Sequence, residues 1–447
     1  MSTAVHRARR VAAGPAERER LDAAHTLRTA EQVVETLGNL RGALMKLGQM
    51  ASYLDDGLPE PLRAALATLQ QAAPPMSPEL AAGVVEQELG APPEEVFAEW
   101  DPVPLAAASI GQVHRARAHD GRALAVKVQY PGVDDAIRAD LGTAGALFRG
   151  MALVYPGLDP GPLVGELAAR LLEELDYCHE AANQKRFAGF YAGHPFIGVP
   201  AVVDELCTSR VLTTELVEGA RFDEVLGWSQ DERDLAGETI FRFVFRGIYG
   251  LHAFNGDPHP GNYLFSPGGR VMFLDFGLVK YFSTHETDLF GSMIRAIVFD
   301  RDPHLFRAAV ERAGLLPVGL PFADEDVAAY FSAFYQLVDR SEAKTVDGSY
   351  ASELVRRTFD SSGPYGPILR AANVPPTFVI VQRINLGLVA VLAQLGATAN
   401  WRSIAEELWP WVAGPPSTDL GRREAEWLAA YHAGGALAGP LHGPDGD

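Results

Sequence analysis

Three polar side chains stand out for their type and spacing. Asp257 and Asn262 lie five residues apart in FNGDPHPGNYLF, and Asp275 follows in VMFLDFGLV. Pro258 and Pro260 fix backbone angles and remove two amide donors, so the first stretch is a rigid loop, neither helix interior nor central strand. The apolar run before Asp275 reads as a buried strand that ends at a glycine turn, a place where a carboxylate can hold a divalent metal at a cleft. Alone, Asp-Phe-Gly is an ordinary strand-end turn. Joined to the loop it becomes a set. One carboxylate orients a nucleophile or takes its proton, while a carboxamide and a second carboxylate hold Mg²⁺ against phosphates.

Protein kinases place an Asp, an Asn five residues on and the Asp of Asp-Phe-Gly in this order. A lysine on a strand should then meet the nucleotide phosphates, and Lys127 in ALAVKVQY fits. It needs a carboxylate from a helix. A long helix is expected over 162–190, carrying Glu173, Glu174, Asp176 and Glu180, with Asp176 and Glu180 on one face. Glu180 is the expected partner. The turn before Lys127, PLAAASIGQVHRA, has Ala106, Ala107, Ala108 and Ser109 where a kinase has a glycine-rich loop. Alanine amides can still donate to phosphate, with less freedom at positive φ.

The elements that must position these groups follow from periodicity. Residues 16–55 read helical, Ser77 is a good N-cap with Pro78 at the first helical position, and a helix runs from there to about Gly90. From Gly111 to Tyr130 the pattern alternates on either side of Asp120-Gly121, which predicts two antiparallel strands. Two more strands are expected around 198–217, and a short hairpin, YLF and RVMFLDFG joined by SPGG, follows the proline loop. From Phe222 onward the rest reads mostly helical.

At this point the chain resembles the UbiB-like (AarF-type) atypical kinase family. The motifs are KLGQ at 46–49, AAAS at 106–109, AVKVQYPGV at 125–133, ELD at 174–176 followed by HEAAN, DPHPGN at 257–262 and LDFG at 274–277. The C-terminal INLGLVAVLAQLGATANW is also similar to the family's tail. The resemblance implies an α+β, bilobal protein-kinase-like fold. It would comprise a helical extension over 1–100, a small antiparallel-sheet lobe over 101–217, and a helical lobe over 218–447 with a disordered tail.

The resemblance also implies roles. Lys127 would contact the phosphates of ATP or ADP and pair with Glu180. Asp257 would be the catalytic-loop Asp, and Asn262 and Asp275 the Mg²⁺ ligands. Ala106, Ala107, Ala108 and Ser109 would replace the glycine-rich loop, and Glu215 to Val217 would be the hinge that meets adenine. Lys46, Gly48 and Gln49 belong to the family's signature extension. Its helix would lie over the cleft where a protein kinase binds peptide, with Lys46, a further candidate for the chemistry, facing Glu174 and Asp176. The implied activity is that of an atypical kinase or ATPase linked to lipid and isoprenoid-quinone metabolism, with a lipid or quinone precursor as ligand. Protein phosphorylation in trans and a nucleotide-gated scaffold without turnover are the alternatives.

Some residues depart from the pattern. No Ala-Pro-Glu follows Asp275 and no Arg precedes Asp257, which argues against peptide phosphorylation governed by an activation loop. Asn255 stands where many relatives have His. His259 either polarises a phosphate or hydrogen-bonds the loop backbone.

Composition narrows the classes further. The 447 residues are 47% hydrophobic and 21% charged, as in a soluble globular protein. A formal net charge of -19 excludes a general nucleic-acid backbone binder. Cys178 and Cys207 alone make neither a four-cysteine zinc site nor a disulfide framework, so a reducing compartment is expected. With no apolar signal segment near Met1, the expected location is cytoplasmic. The longest uncharged run, between Arg383 and Arg402, contains Gln394, Thr398 and Asn400 and reads as a buried helix, so any membrane contact would be peripheral.

Overall fold

The computed structural model describes residues 76–108, 110–134, 175–256, 258–360, 363–373 and 375–433. The chain divides into two units, Met1–Asp176 with Thr208–Val211, and Tyr177–Cys207 with Leu212–Asp447. The helix expected over 16–55 and the tail beyond residue 433 lie outside the described residues.

In the first unit, helix α1 (Pro78–Leu89) starts as its sequence dictates. Ser77 Oγ accepts the Leu80 amide at 3.4 Å, Pro78 needs no donor there, and Gly90 ends the helix at φ 82. Strands β1 (Glu99–Ala107), β2 (Gly111–Arg117) and β3 (Ala123–Gln129) form an antiparallel meander. Gly121 at φ 92 makes the β2–β3 turn, and Asp120 Oδ1 accepts the Arg122 amide at 3.0 Å. Alternation buries Leu124, Val126 and Val128 completely and puts Lys127 on the opposite, half-buried face, across from Val113.

A buried polar relay stiffens β1 against β2. Gln112 Oε1 accepts the Met76 amide at 3.0 Å, and Gln112 Nε2 lies 2.8 Å from His114 Nε2. His114 Nδ1 is 2.9 Å from the Asp101 carbonyl, which can only accept, so Nδ1 carries the proton and Nε2 receives the glutamine donor. Burial pushes the His114 pKa below its ordinary value, against the opposing pull of Asp101.

The second unit opens with helix α2 (Tyr177–Phe190). Of the helix expected over 162–190, residues 162–174 lie outside the described residues, and the described helix begins at Tyr177. Leu175 and Asp176 precede it outside helical geometry, and the Leu175 carbonyl accepts Gln129 Nε2 at 2.9 Å within the first unit instead of serving a helix. Next come β4 (Ile197–Gly198) and β5 (Val211–Glu215), separated by a 3-10 turn at Asp204–Leu206. Helix α3 (Gln230–Arg246) leads to β6 (Ala253–Asn255), β7 (Tyr263–Ser266), β8 (Arg270–Phe273) and β9 (Val279–Tyr281). The expected hairpin is β7–β8, with Tyr263 opposite Phe273 and Ser266 opposite Arg270. β4 adds to β8 in parallel, and β6 pairs with β9 antiparallel.

Helices then dominate: α4 (Thr284–Ile294), α5 (Pro303–Arg312), α6 (Asp324–Phe331), α7 (Gly348–Phe359), α8 (Pro376–Leu395), α9 (Trp401–Leu408) and α10 (Asp419–Ala433). The uncharged C-terminal run forms most of α8. Ile384, Leu388, Val391, Leu392 and Leu395 are buried in the aromatic-rich core around α3, where the Phe243 and Phe273 rings stack with centroids 3.6 Å apart. Gly396, left-handed at φ 60, ends that helix.

One buried ionic cluster ties α10 to α3. Arg242, whose side chain is 0% exposed, donates to Glu238 at 2.7 Å and to Glu407 and Glu424 at 2.8 Å, and Arg246 donates to Glu424 at 3.0 Å. Burial alone would raise the Glu424 pKa, but Arg246, His194 and Arg242 outweigh it and hold the carboxyl well below the usual range. Glu238 shifts upward because burial outweighs its pairing with Arg242. His194 Nδ1 accepts the Ile197 amide at 3.0 Å, so this buried imidazole stays neutral and turns Nε2–H toward Glu424 at 3.6 Å.

Candidate functional site

β6 delivers the chain to the proline loop. Asn255 opposes Val279, and the Gly256 amide donates to the Leu278 carbonyl at 2.6 Å. Asp257 lies outside the described residues, but both of its neighbours are held. On the far side, His259 Nδ1 accepts the Gly261 amide at 3.0 Å and starts a one-turn 3-10 helix, Pro260–Asn262. Of the two roles open to His259, the backbone hydrogen bond is present in the structure. The Asn262 carbonyl accepts the Leu274 amide at 3.0 Å, which sets Asn262 across from the residue before Asp275.

Pro258 is braced from the C-terminal side of the chain. A Cβ at Gly387, on α8, would lie 2.2 Å from Pro258 Cγ, so only glycine admits this contact. The family-like C-terminal segment thus has a physical task, since its helix presses directly on the residue next to Asp257.

The Asp-Phe-Gly turn is held on every side within the second unit. Asp275 Oδ1 accepts the Gly277 amide at 3.0 Å, and the Asp275 carbonyl accepts Asn255 Nδ2 at 2.5 Å. Phe276 is fully buried, with its ring 5.0 Å from that of Phe187. Its carbonyl accepts Asn183 Nδ2 at 3.1 Å. Glu180, buried on the first turn of α2, reaches the same place. A Cβ at Gly277 would lie 3.4 Å from Asp275 Oδ1 and 3.5 Å from Glu180 Oε2. Asn183, Tyr281 and Gly387 were missed as site residues in the sequence. The available signal for Asn183 was its position three residues beyond Glu180, one turn along the same helix.

The donor chemistry suits Mg²⁺, a hard cation that takes oxygen ligands. Among the described residues no group of three or more His, Cys, Asp or Glu side chains could hold a metal unaided. A carboxylate from Asp275 and a carboxamide oxygen from Asn262 match a Mg²⁺ that completes its shell with phosphate and water oxygens.

The remaining expected residues are placed as follows. In the first unit Lys127 lies on β3, and Ala106 and Ala107 end β1 opposite Val113 and Gln112. The Ala108 amide donates to the Gly111 carbonyl at 2.8 Å, so it is spent in closing the turn. In the second unit Glu215 ends β5, its amide donating to the Ala201 carbonyl at 2.9 Å, and Val217 follows in irregular chain. Asp176 directly precedes α2. Lys46, Gly48, Gln49, Ser109, Glu174 and Asp257 lie outside the described residues.

The family model for the ABC1 atypical kinase-like domain matches residues 68–307, more than half of the 447-residue chain. The chain belongs to the ABC1 atypical kinase-like family. The matched span contains Lys127, Glu180, the proline loop and Asp-Phe-Gly, and it bears out both the resemblance to AarF-type kinases and the kinase-like α+β fold. Among the ABC1 relatives, rat mitochondrial atypical kinase COQ8B is 38% identical over 276 residues, covering 61% of this chain and 52% of the relative. An uncharacterised chloroplastic aarF domain-containing protein kinase of Arabidopsis thaliana is 31% identical over 408 residues, 90% of this chain and 55% of the relative. The chain thus spans about half the length of these two relatives. Among solved structures, Rv3197 of Mycobacterium tuberculosis, in complex with erythromycin, superposes with a TM-score of 0.65 at 31% identity, covering 89% of this chain and all of that one. No helix among the described residues is long and apolar enough to cross a membrane.

Proposed function

We propose that this protein is a Mg²⁺- and ATP-dependent atypical kinase or ATPase that acts on, or is regulated by, a lipid or isoprenoid-quinone precursor. The observation that carries this reading is the double brace on the Asp257 loop and the Asp-Phe-Gly turn. Gly387 backs Pro258, and Asn255 joins the loop to the Asp275 carbonyl at 2.5 Å. Rigid placement is what phosphoryl transfer asks of a protein, because positioning and charge stabilisation supply most of the catalysis.

In this reading Asp257 orients the acceptor hydroxyl or water and takes its proton. Asn262 and Asp275 hold Mg²⁺, which when bound neutralises charge on the transferring phosphoryl group. Lys127 binds the nucleotide phosphates, while Glu215 to Val217 meet adenine. Lys46, Gly48 and Gln49, with Glu174 and Asp176, are assigned the role of excluding peptide substrates. The erythromycin complex of the mycobacterial relative is in keeping with a non-peptide ligand. A cytoplasmic protein with peripheral membrane contact fits such a substrate class.

The test is ATP hydrolysis by wild type, Asp257→Asn and Asp275→Asn, each with and without lipid vesicles. Mg²⁺-dependent turnover lost in both variants supports the reading. Nucleotide binding without turnover in any condition would instead make the protein a nucleotide-gated scaffold. Ready phosphorylation of diverse peptides would make it a protein kinase acting in trans.

A further inference from the structure

Asn183 uses both ends of its carboxamide in a buried position. It is 2% exposed, its Nδ2 donates to the Phe276 carbonyl at 3.1 Å, and its Oδ1 accepts the Tyr281 hydroxyl at 2.9 Å. Reversing the amide would set two oxygens against each other at Phe276, so the partners fix its orientation. Two neighbours on α2 reinforce the grip. The Phe187 ring packs 5.0 Å from that of Phe276, and the Arg186 guanidinium sits 5.0 Å from the centre of the Tyr281 ring. Burial pushes the Tyr281 pKa up, against the lowering influence of Arg186, which keeps the hydroxyl protonated as a donor near neutral pH. Four contacts from three residues of one helix therefore hold the chain at two points, directly after Asp275 and again at the end of β9.

We infer that Asn183 is a positioning residue: through the Phe276 carbonyl and Tyr281 it locks the Asp-Phe-Gly segment to the helix that carries Glu180, so that Asp275 is presented to the metal in one fixed orientation. The inference rests on the proposed role of Asp275 and adds a residue that does not itself touch metal or nucleotide. In many kinases this segment swings between arrangements. Here the latch makes the metal-ready arrangement the resting one.

The test uses Asn183→Ala, Asn183→Asp and the milder Tyr281→Phe in the full chain. Amide hydrogen exchange across residues 275–281 is read beside the Mg²⁺ concentration that half-saturates nucleotide binding. Loss of an outer-shell partner weakens metal affinity roughly 10–100-fold, so half-saturation should move up by about tenfold in Asn183→Ala, with a smaller shift in Tyr281→Phe. Exchange should quicken across 275–281 while α9 and α10 keep their protection. A uniform loss of protection or a lower melting temperature, with Mg²⁺ dependence unchanged, overturns the inference. If wild type binds no Mg²⁺-nucleotide, the functional reading fails, and the exchange pattern still decides whether the latch exists. Should the Asn183 variants not fold, Tyr281→Phe gives the same two readouts.

Discussion

Glu180 and Asp275 converge on Gly277: a Cβ there would meet Asp275 Oδ1 at 3.4 Å and Glu180 Oε2 at 3.5 Å. Two carboxylates brought this near each other favour a cation between or beside them. Those distances are ordinary van der Waals contacts, so Gly277→Ala should fold. Its methyl would crowd both carboxylate oxygens. The expected outcome is a melting temperature close to wild type with Mg²⁺-nucleotide affinity weakened about tenfold, measured by calorimetric titration.

Gly387 gives a sharper steric prediction. The Pro258 ring cannot swing away as a flexible side chain would, and the added Cβ of Gly387→Ala would fall 2.2 Å from its Cγ. Either α8 or the loop must move. Overpacking of this kind costs about 1–3 kcal/mol of stability, and a displacement near 1 Å at a reacting group can cost about 100-fold in rate. Denaturant unfolding and ATP turnover, measured side by side, should show a modest stability loss and a much larger loss of rate.

Asn255 should matter for stability through the same turn. Asn255→Ala leaves the Asp275 carbonyl without the donor now 2.5 Å away. The expected cost is about 1–3 kcal/mol, read as a lower urea midpoint with an unchanged slope.

The Arg242 cluster predicts a pH dependence with a definite sign. The Glu424 carboxyl is held below its ordinary value of 4.5, so its pairing adds stability at pH values above 4.5. That stability drains away as pH falls from 4.5 toward the lower folded-state value. Glu238 shifts upward and opposes the trend, but it lacks the second arginine that Glu424 has. Thermal melts of wild type should therefore fall steeply below about pH 4.5, and Glu424→Gln should flatten that limb. Removing the cation by Arg242→Met leaves buried carboxylates uncompensated and should cost about 3–5 kcal/mol at neutral pH.

Much of the site was legible in the sequence because its chemistry is local. The proline loop, the hairpin after it and the Asp120-Gly121 turn each follow from backbone rules a few residues long, and β7–β8 and β2–β3 form as expected. The braces were not legible, because they join residues far apart in sequence. Nothing in INLGL announces that Gly387 must meet Pro258, and nothing in HEAAN says that the asparagine reaches a carbonyl 93 residues away. The break in helical geometry just before α2 was not legible for a related reason. Helical periodicity runs back through Leu175, but the tertiary bond from Gln129 takes its carbonyl. The buried Arg242 cluster was invisible because its five charged residues come from three separate helices.

Asp275, fixed in its turn, is proposed to hold Mg²⁺ against a nucleotide. The most direct test is calorimetric titration of ATP into wild type and Asp275→Asn, each with and without Mg²⁺. Tight binding that requires Mg²⁺ in wild type, and loses that requirement along with most of its affinity in Asp275→Asn, is the predicted result. Equal affinity in all four titrations would contradict it.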